Sequence, residues 1–127
     1  MTALLRRVIL FPAMDRIIAQ GRLYDFYGEL LTPHQRSIYE AAVYDDMSLA
    51  EIAERESVSR QAVHDIIKRA TRLLEEYENK LHMIERYDRI TGLAQELKKD
   101  AAKEGLTSGE LKACMTKAAD AIIAGMT

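Results

Sequence analysis

The chain has 127 residues, 18 Lys and Arg against 20 Asp and Glu, a formal net charge of −2, and 48% hydrophobic residues. This is enough chain for one domain with a real core. The slightly acidic balance runs against the broad basic surface that supplies non-specific duplex affinity, and with only six Gly and two Pro, helices are expected throughout.

At the N-terminus, Arg6 and Arg7 precede the apolar run at residues 8–11. That run is too short for a signal peptide and far too short to span a bilayer, so no membrane insertion is expected. Residues 1–14 read as a flexible arm, with Met14 a candidate start, and residues 15–127 as a single all-helical domain. Cys114 is the only cysteine. It cannot form an internal disulfide, which fits a reducing cytoplasm, and it reads as a small buried hydrophobe.

Residues 15–31 predict a helix. Leu23, Phe26, Tyr27 and Leu30 fall at i, i+3, i+4, i+7 and so share a face. A helical aromatic stripe of this kind reads as core rather than as a base-stacking platform. Gly21 weakens the first half of the helix. Thr32-Pro33-His34-Gln35 is a helix start, with Thr32 as cap, Pro33 where no amide is needed, and Gln35 closing a capping box. That helix carries Ile38, Ala41 and Ala42 and ends near Asp45. Ser48-Leu49-Ala50-Glu51 is a second capping box, opening a short helix whose buried face is Leu49, Ile52 and Ala53. Ser57-Val58-Ser59 is a turn, and Ser59 caps the next helix.

The stretch 48–72 therefore reads as a helix-turn-helix, which makes specific demands. The first helix needs a small residue where the second crosses it, and Ala53 supplies it. The turn needs an apolar plug, and Val58 is in place. The second helix needs apolar residues facing back, and Val63 and Ile66 do so. The first turn residue is Ser57 where Gly is usual, at a position that often takes a left-handed backbone.

The second helix reads as long. Val63, Ile66, Ala70, Leu73, Tyr77, Leu81 and Ile84 alternate steps of three and four, and no Pro or Gly stands between Ser59 and Gly92. It is expected to reach about Arg89. A stripe near period 3.5 predicts coiled-coil-like packing, against the N-terminal helices or in a homodimer through this helix and the C-terminal ones. A further helix at residues 91–104 ends at Gly105. Thr107-Ser108-Gly109-Glu110 is a third capping box, opening a helix with Leu111, Met115, Ala118 and Ile122 on one face.

The chemistry concentrates on the second helix of the helix-turn-helix. Ser59, Arg60, Gln61, His64, Lys68, Arg69 and Arg72 are the candidate nucleic-acid contacts. Arg and Gln can read guanine and adenine edges with paired hydrogen bonds, while Lys and Arg neutralise phosphates. Arg60, Lys68, Arg69 and Arg72 against Asp65 give this segment a local net charge of +3. Acidic shoulders bracket it, Glu51, Glu54 and Glu56 before and Glu75, Glu76 and Glu78 after. His34, His64 and His82 are far apart and lack cysteine or paired carboxylate company, so no metal is expected. No phosphate-cradling Gly loop or nucleophile–base pairing is present, so neither cofactor nor enzymatic activity is expected.

Residues 23–83, from the FYGELLT entry through YDDMSLAEIAE and SRQAVHDIIKR to LEEYENKLHM, resemble the YlxM-like family of bacterial helix-turn-helix proteins. More broadly, the helix-turn-helix is similar to region 4 of sigma factors. The resemblance covers about half the chain, leaving the arm before Asp15 and the tail beyond Arg89 outside its core. It implies an all-α bundle, sigma region 4-like and without a wing, with a long recognition helix and extra C-terminal helices. It also implies an accessory or regulatory role in the signal recognition particle pathway, with the particle's RNA or protein as partner. A DNA-binding transcriptional regulator is the alternative.

Overall fold

Helix boundaries fall where side chains can take up the N–H groups that a first turn leaves unpaired. The computed structural model describes residues 13–126, and among these it is all-helical with no strand. The helices are α1 (Ala13–Tyr27), α2 (Pro33–Val43), α3 (Leu49–Glu56), α4 (Arg60–Leu81), α5 (Met83–Ala102) and α6 (Ser108–Met126), with a 3-10 turn at Gly28–Leu30. α1 starts two residues before the expected boundary at Asp15, and residues 1–12 of the expected arm lie outside the described residues. The described residues fall into two compact units divided between His82 and Met83, where the sequence reading had one body.

In the first unit the caps form as the sequence implies. Thr32 Oγ1 accepts the Gln35 N–H at 3.2 Å and Gln35 Oε1 accepts the Thr32 N–H at 3.0 Å, a complete box with Pro33 behind it. Ser48 Oγ accepts the Glu51 N–H at 3.1 Å, which is the serine half of the second box. Ser59 Oγ accepts the Ala62 N–H at 3.0 Å and starts α4.

Between α3 and α4 the chain turns through Ser57, at φ 55° and ψ 42°. The Ser57 N–H reaches the Glu54 carbonyl at 3.3 Å and the Val58 N–H reaches the Ala53 carbonyl at 3.0 Å, the two bonds of a Schellman end. An L residue held in this left-handed conformation costs about 1 kcal/mol that glycine would not incur. Ser57→Gly is therefore expected to raise the urea midpoint, by up to about 1 kcal/mol of stability, at unchanged m-value. An unchanged or lower midpoint would mean that the serine is not strained there.

Ile38 and Ala41 of α2, Ile52 and Ala53 of α3, and Val63 of α4 form one buried cluster, with Ala42, Met47, Ile66 and Ile67 packed on it. Ala53 is the small residue at the crossing, as expected. Two other expectations are corrected. Val58 is 40% exposed and Leu49 38% exposed. The turn is held by its backbone bonds rather than by an apolar plug. Leu49, as the first residue of α3, lies at the rim of the cluster rather than inside it.

α1 packs along α4 in parallel. Gln20 Nε2 donates to Thr71 Oγ1 at 3.2 Å and Tyr27 OH donates to Glu78 Oε1 at 2.6 Å, and both pairs are 51 residues apart. The Thr71 hydroxyl spends its single proton on the Ile67 carbonyl at 2.9 Å. The 2.9 Å contact with Tyr39 OH is therefore donated by the tyrosine. One threonine thus ties α1, α2 and α4 together.

This packing reshapes the expected α4 stripe. The buried residues are Val63, Ala70, Thr71, Leu74 and Glu78, while Leu73 and Tyr77 are half-buried and Leu81 is exposed. The face turned to α1 lies to one side of the near-3.5 stripe, and it includes a carboxylate accommodated by the Tyr27 hydroxyl. α4 also ends at Leu81, not near Arg89. His82 takes φ 54°, and its N–H closes on the Glu78 carbonyl at 2.8 Å. Histidine enters the left-handed region more readily than most residues, so neither glycine nor proline was needed to stop the helix.

Of the two aromatics in the α1 stripe, Tyr27 is core as expected and Phe26 is half-buried. Tyr27 and Tyr39 are buried, and Tyr24 stacks on Tyr39 with ring centroids 5.7 Å apart. The Tyr24 hydroxyl also donates to Glu40. Leu30, expected on the same face, is 54% exposed, and Leu31 is buried instead. The 3-10 turn at Gly28 breaks the α-helical register. A Cβ at Gly28 would lie 2.7 Å from the Tyr24 ring, so only glycine fits there.

In the second unit α5 and α6 form an antiparallel hairpin. Arg89, early in α5, reaches the Ala121 carbonyl, late in α6, at 3.5 Å. The third capping box closes, with the Glu110 N–H on Thr107 Oγ1 at 3.1 Å and the Thr107 N–H on Glu110 Oε2 at 3.4 Å. Gly105 precedes it at φ 84°. The half-buried face of α6 is Leu111, Cys114, Ala118, Ala121 and Ile122. Met115, expected on it, is 53% exposed, and Cys114 is half-buried rather than buried.

Candidate nucleic-acid interface

All seven sequence-predicted residues lie on the exposed side of α4 or at its cap. At about 100° per residue, steps of four place Arg60, His64, Lys68 and Arg72 in one slowly drifting row. Arg69 leaves the helix about half a turn round from Arg60, so it does not join that row. Ser59 is already engaged as the cap. Gln61 Nε2 donates to Asp65 Oδ1 at 3.0 Å, and His64 Nδ1 lies 3.7 Å from the same oxygen. Among the described residues, no carboxylate lies within ion-pair distance of Arg60, Lys68, Arg69 or Arg72. Arg60, Lys68 and Arg69 are available to an external anion, while Arg72 also feels the carboxyl of Glu75.

The acidic shoulders are thinner in space than in sequence. Glu78 is buried against Tyr27. Glu56 pairs with Arg55 at 2.9 Å and lies 3.7 Å from His34. Glu51, Glu54 and Glu76 remain exposed. Glu75 is half-buried beside the row, and burial pushes its carboxyl up against the opposing pull of Arg72.

A raised carboxyl means that the folded chain keeps its proton at a pH where the unfolded chain has released it. Stability then falls as pH rises from the ordinary carboxylate range through the raised value, and the loss persists above it. Glu75→Gln is expected to give a modestly higher urea midpoint near pH 7 and no gain at about pH 3, where both chains are neutral at this position. Equal midpoints at both pH values would remove burial of Glu75 as a cost.

Sequence reasoning missed the surface that faces the basic row. Arg16, Ile17 and Gln20 of α1 and Leu49 of α3 line, with His64, Ile67, Lys68, Thr71, Arg72 and Glu75 of α4, an open groove of about 720 Å³. The only signal that could have shown it is the parallel pairing of α1 with α4, which is tertiary. Among the described residues no helix is long and apolar enough to cross a membrane.

A short helix α3 joined through a left-handed turn to α4, both packed on α2, with a basic exposed face on α4, defines a helix-turn-helix protein. The family described as "Putative helix-turn-helix protein, YlxM / p13 like" matches residues 14–113, and the chain belongs to it. The match runs past the 23–83 core into α5 and the start of α6. Among its relatives, the UPF0122 protein of Halalkalibacterium halodurans is 43% identical over 102 residues, covering 80% of this chain and 93% of that protein. The UPF0122 protein of Geobacillus kaustophilus is 41% identical over 100 residues, covering 79% and 91%. That of Geobacillus sp. strain WCH70 is 46% identical over 85 residues, covering 67% and 77%.

Proposed function

We propose that this protein is a cytoplasmic accessory or regulatory factor of the signal recognition particle pathway, binding the particle's RNA, its protein component, or both, and acting by binding rather than catalysis. The observation that carries a nucleic-acid contact is the exposed row Arg60–His64–Lys68–Arg72, whose arginines and lysine have no ion-pair partner among the described residues. The link to the particle is supported by the family resemblance of residues 23–83. The row would meet RNA at backbone or loops, because the major groove of A-form RNA is too deep and narrow for a helix.

A second reading, a DNA-binding regulator of sigma region 4 type, is favoured by Arg60, Gln61 and Lys68 standing exposed on the second helix, as major-groove readout requires. In either reading the protein acts as a homodimer through the long helix and the C-terminal helices. Support comes from α6, where no residue is buried and Met115, Ile123 and Met126 stay exposed in the single chain. Light scattering that returns a monomer at high concentration rejects the dimer.

The deciding experiment measures binding to signal recognition particle RNA and to random duplex DNA at two salt concentrations, with Arg60→Ala/Lys68→Ala as the control. Preference for the RNA supports the first reading, and preference for duplex DNA supports the second. No binding tighter than about 100 µM to either would remove the nucleic-acid component of both.

A further inference from the structure

The groove beside the basic row differs from a phosphate-binding surface in one respect: three of its lining residues, Ile17, Leu49 and Ile67, are large and apolar. Ile17 is 41% exposed and Leu49 38% exposed, although each sits beside the packed body of the first unit. Ile67 is half-buried, lining the groove and packing against the core cluster. Arg16, Lys68 and Arg72 add three cations to the lining, against the single carboxylate of Glu75. Nucleic acid would use the cations and gain little from the three apolar side chains. A small molecule would find no enclosed chamber, since the groove is open along its length. From His64 to Glu75 it follows α4 for roughly 16 Å, about three helical turns.

From this we infer that the α1–α4 groove is a docking site for an acidic amphipathic helix of a partner protein. Such a helix sets apolar side chains at i, i+3, i+4 and i+7 against Ile17, Leu49 and Ile67. Its flanking Asp and Glu meet Arg16, Lys68 and Arg72. Charge complementarity selects this occupant over a basic helix, and the apolar side chains select it over an unstructured acidic chain. The site shares His64, Lys68 and Arg72 with the proposed nucleic-acid row, so peptide and nucleic acid exclude one another there. The docking does not depend on the nucleic-acid reading, because Ile17 and Leu49 are outside the row and Arg60 is outside the groove.

The probe is a fluorescein-labelled 14-residue peptide with Leu at i, i+3, i+4 and i+7 and Glu on both flanks, titrated with the full chain and read by anisotropy. A scrambled peptide of the same composition should bind at least about fivefold more weakly, since it keeps the charge but loses the apolar face. Ile17→Ser/Leu49→Ser, both at exposed positions, should weaken peptide binding about tenfold and leave nucleic-acid binding unchanged. Arg60→Ala should do the reverse. Lys68→Glu/Arg72→Glu should weaken the Glu-flanked peptide and strengthen a Lys-flanked one, each by about fivefold.

Equal binding of the ordered and scrambled peptides, or no loss with Ile17→Ser/Leu49→Ser, overturns the proposal. No binding by the full chain also overturns it. Peptide binding that emerges only after residues 1–12 are removed assigns the groove to this chain's own N-terminal stretch instead. Conversion of a dimer to a monomer by Ile17→Ser/Leu49→Ser assigns it to a second copy.

Discussion

Ile52→Ala is expected to lower stability by about 2–5 kcal/mol, the range for truncating a fully buried branched aliphatic. Ile52 is 0% exposed and sits in a buried cluster that α2, α3 and α4 share. Its neighbours Ile38, Ala41 and Val63 are equally buried, and two of the cluster's five members are already alanines. Little flexible side chain is therefore available to collapse into the space, which places the cost in the upper part of the range. Domains of this size are stable by only about 5–15 kcal/mol in total, so such a loss should show as a large drop in urea midpoint and thermal midpoint. Val58→Ala is the internal control. It removes two methyl groups from the turn of the same motif, but at a position 40% exposed, and should cost about 1 kcal/mol or less. If the two substitutions cost the same, the cluster is not what holds the helix-turn-helix together.

The contrast between Ile52 and Val58 also marks what could be read from the sequence. The caps at Thr32, Ser48, Ser59 and Thr107 were legible because a cap is a local event: one side chain, one amide, three residues away. The left-handed turn at Ser57 was legible for the same reason. Ala53, Val63 and Ile38 were legible because a crossing of two helices leaves a fixed pattern of small and apolar residues. Val58 and Leu49 were misplaced because their burial depends on whether a neighbour reaches them. Backbone bonds held the turn, and no neighbouring helix covered the first turn of α3.

The longer-range errors share a cause. Apolarity alone carries the α4 stripe through Leu73, Tyr77 and Leu81. The real face passes through Thr71 and Glu78 because α1 brings Gln20 and Tyr27 to meet them. A buried glutamate carries no apolar signal, and a helix pairing 51 residues away carries no periodic one. The candidate contact residues on α4 follow from side-chain chemistry alone, and they lie at exposed positions. The opposite wall of the groove does not, because Arg16 and Ile17 have no local feature that separates them from any other exposed turn.

Burial of Glu78 and pairing of Glu56 with Arg55 have an electrostatic consequence. Two of the six glutamates that flank the basic segment in sequence do not face an approaching anion as free charges. The segment presents Arg60, Lys68, Arg69 and Arg72 with a weaker negative border than the composition implies. A chain of net charge −2 can thus hold a local anion site, and the range of its attraction is set by ionic strength, with a Debye length of about 8 Å at physiological salt.

Arg60→Ala/Lys68→Ala is therefore expected to change the salt dependence of binding as well as its strength. Each phosphate neutralised on a duplex contributes about 0.9 to the slope of log K against log salt, and about 0.7 on a single strand. Removing two cations that each meet a phosphate should flatten the slope by about 1.8 on duplex DNA and about 1.4 on single-stranded RNA. At 50 mM salt the same loss corresponds to an affinity drop of up to roughly a hundredfold, shrinking as salt is raised. Both side chains are exposed and unpaired, so the fold should be untouched and the circular-dichroism spectrum and urea midpoint should match the parent. A contact to base edges alone would instead lower affinity for one preferred sequence and leave the slope near its parental value. An unchanged slope together with unchanged affinity on both nucleic acids would show that the α4 row is not the reader.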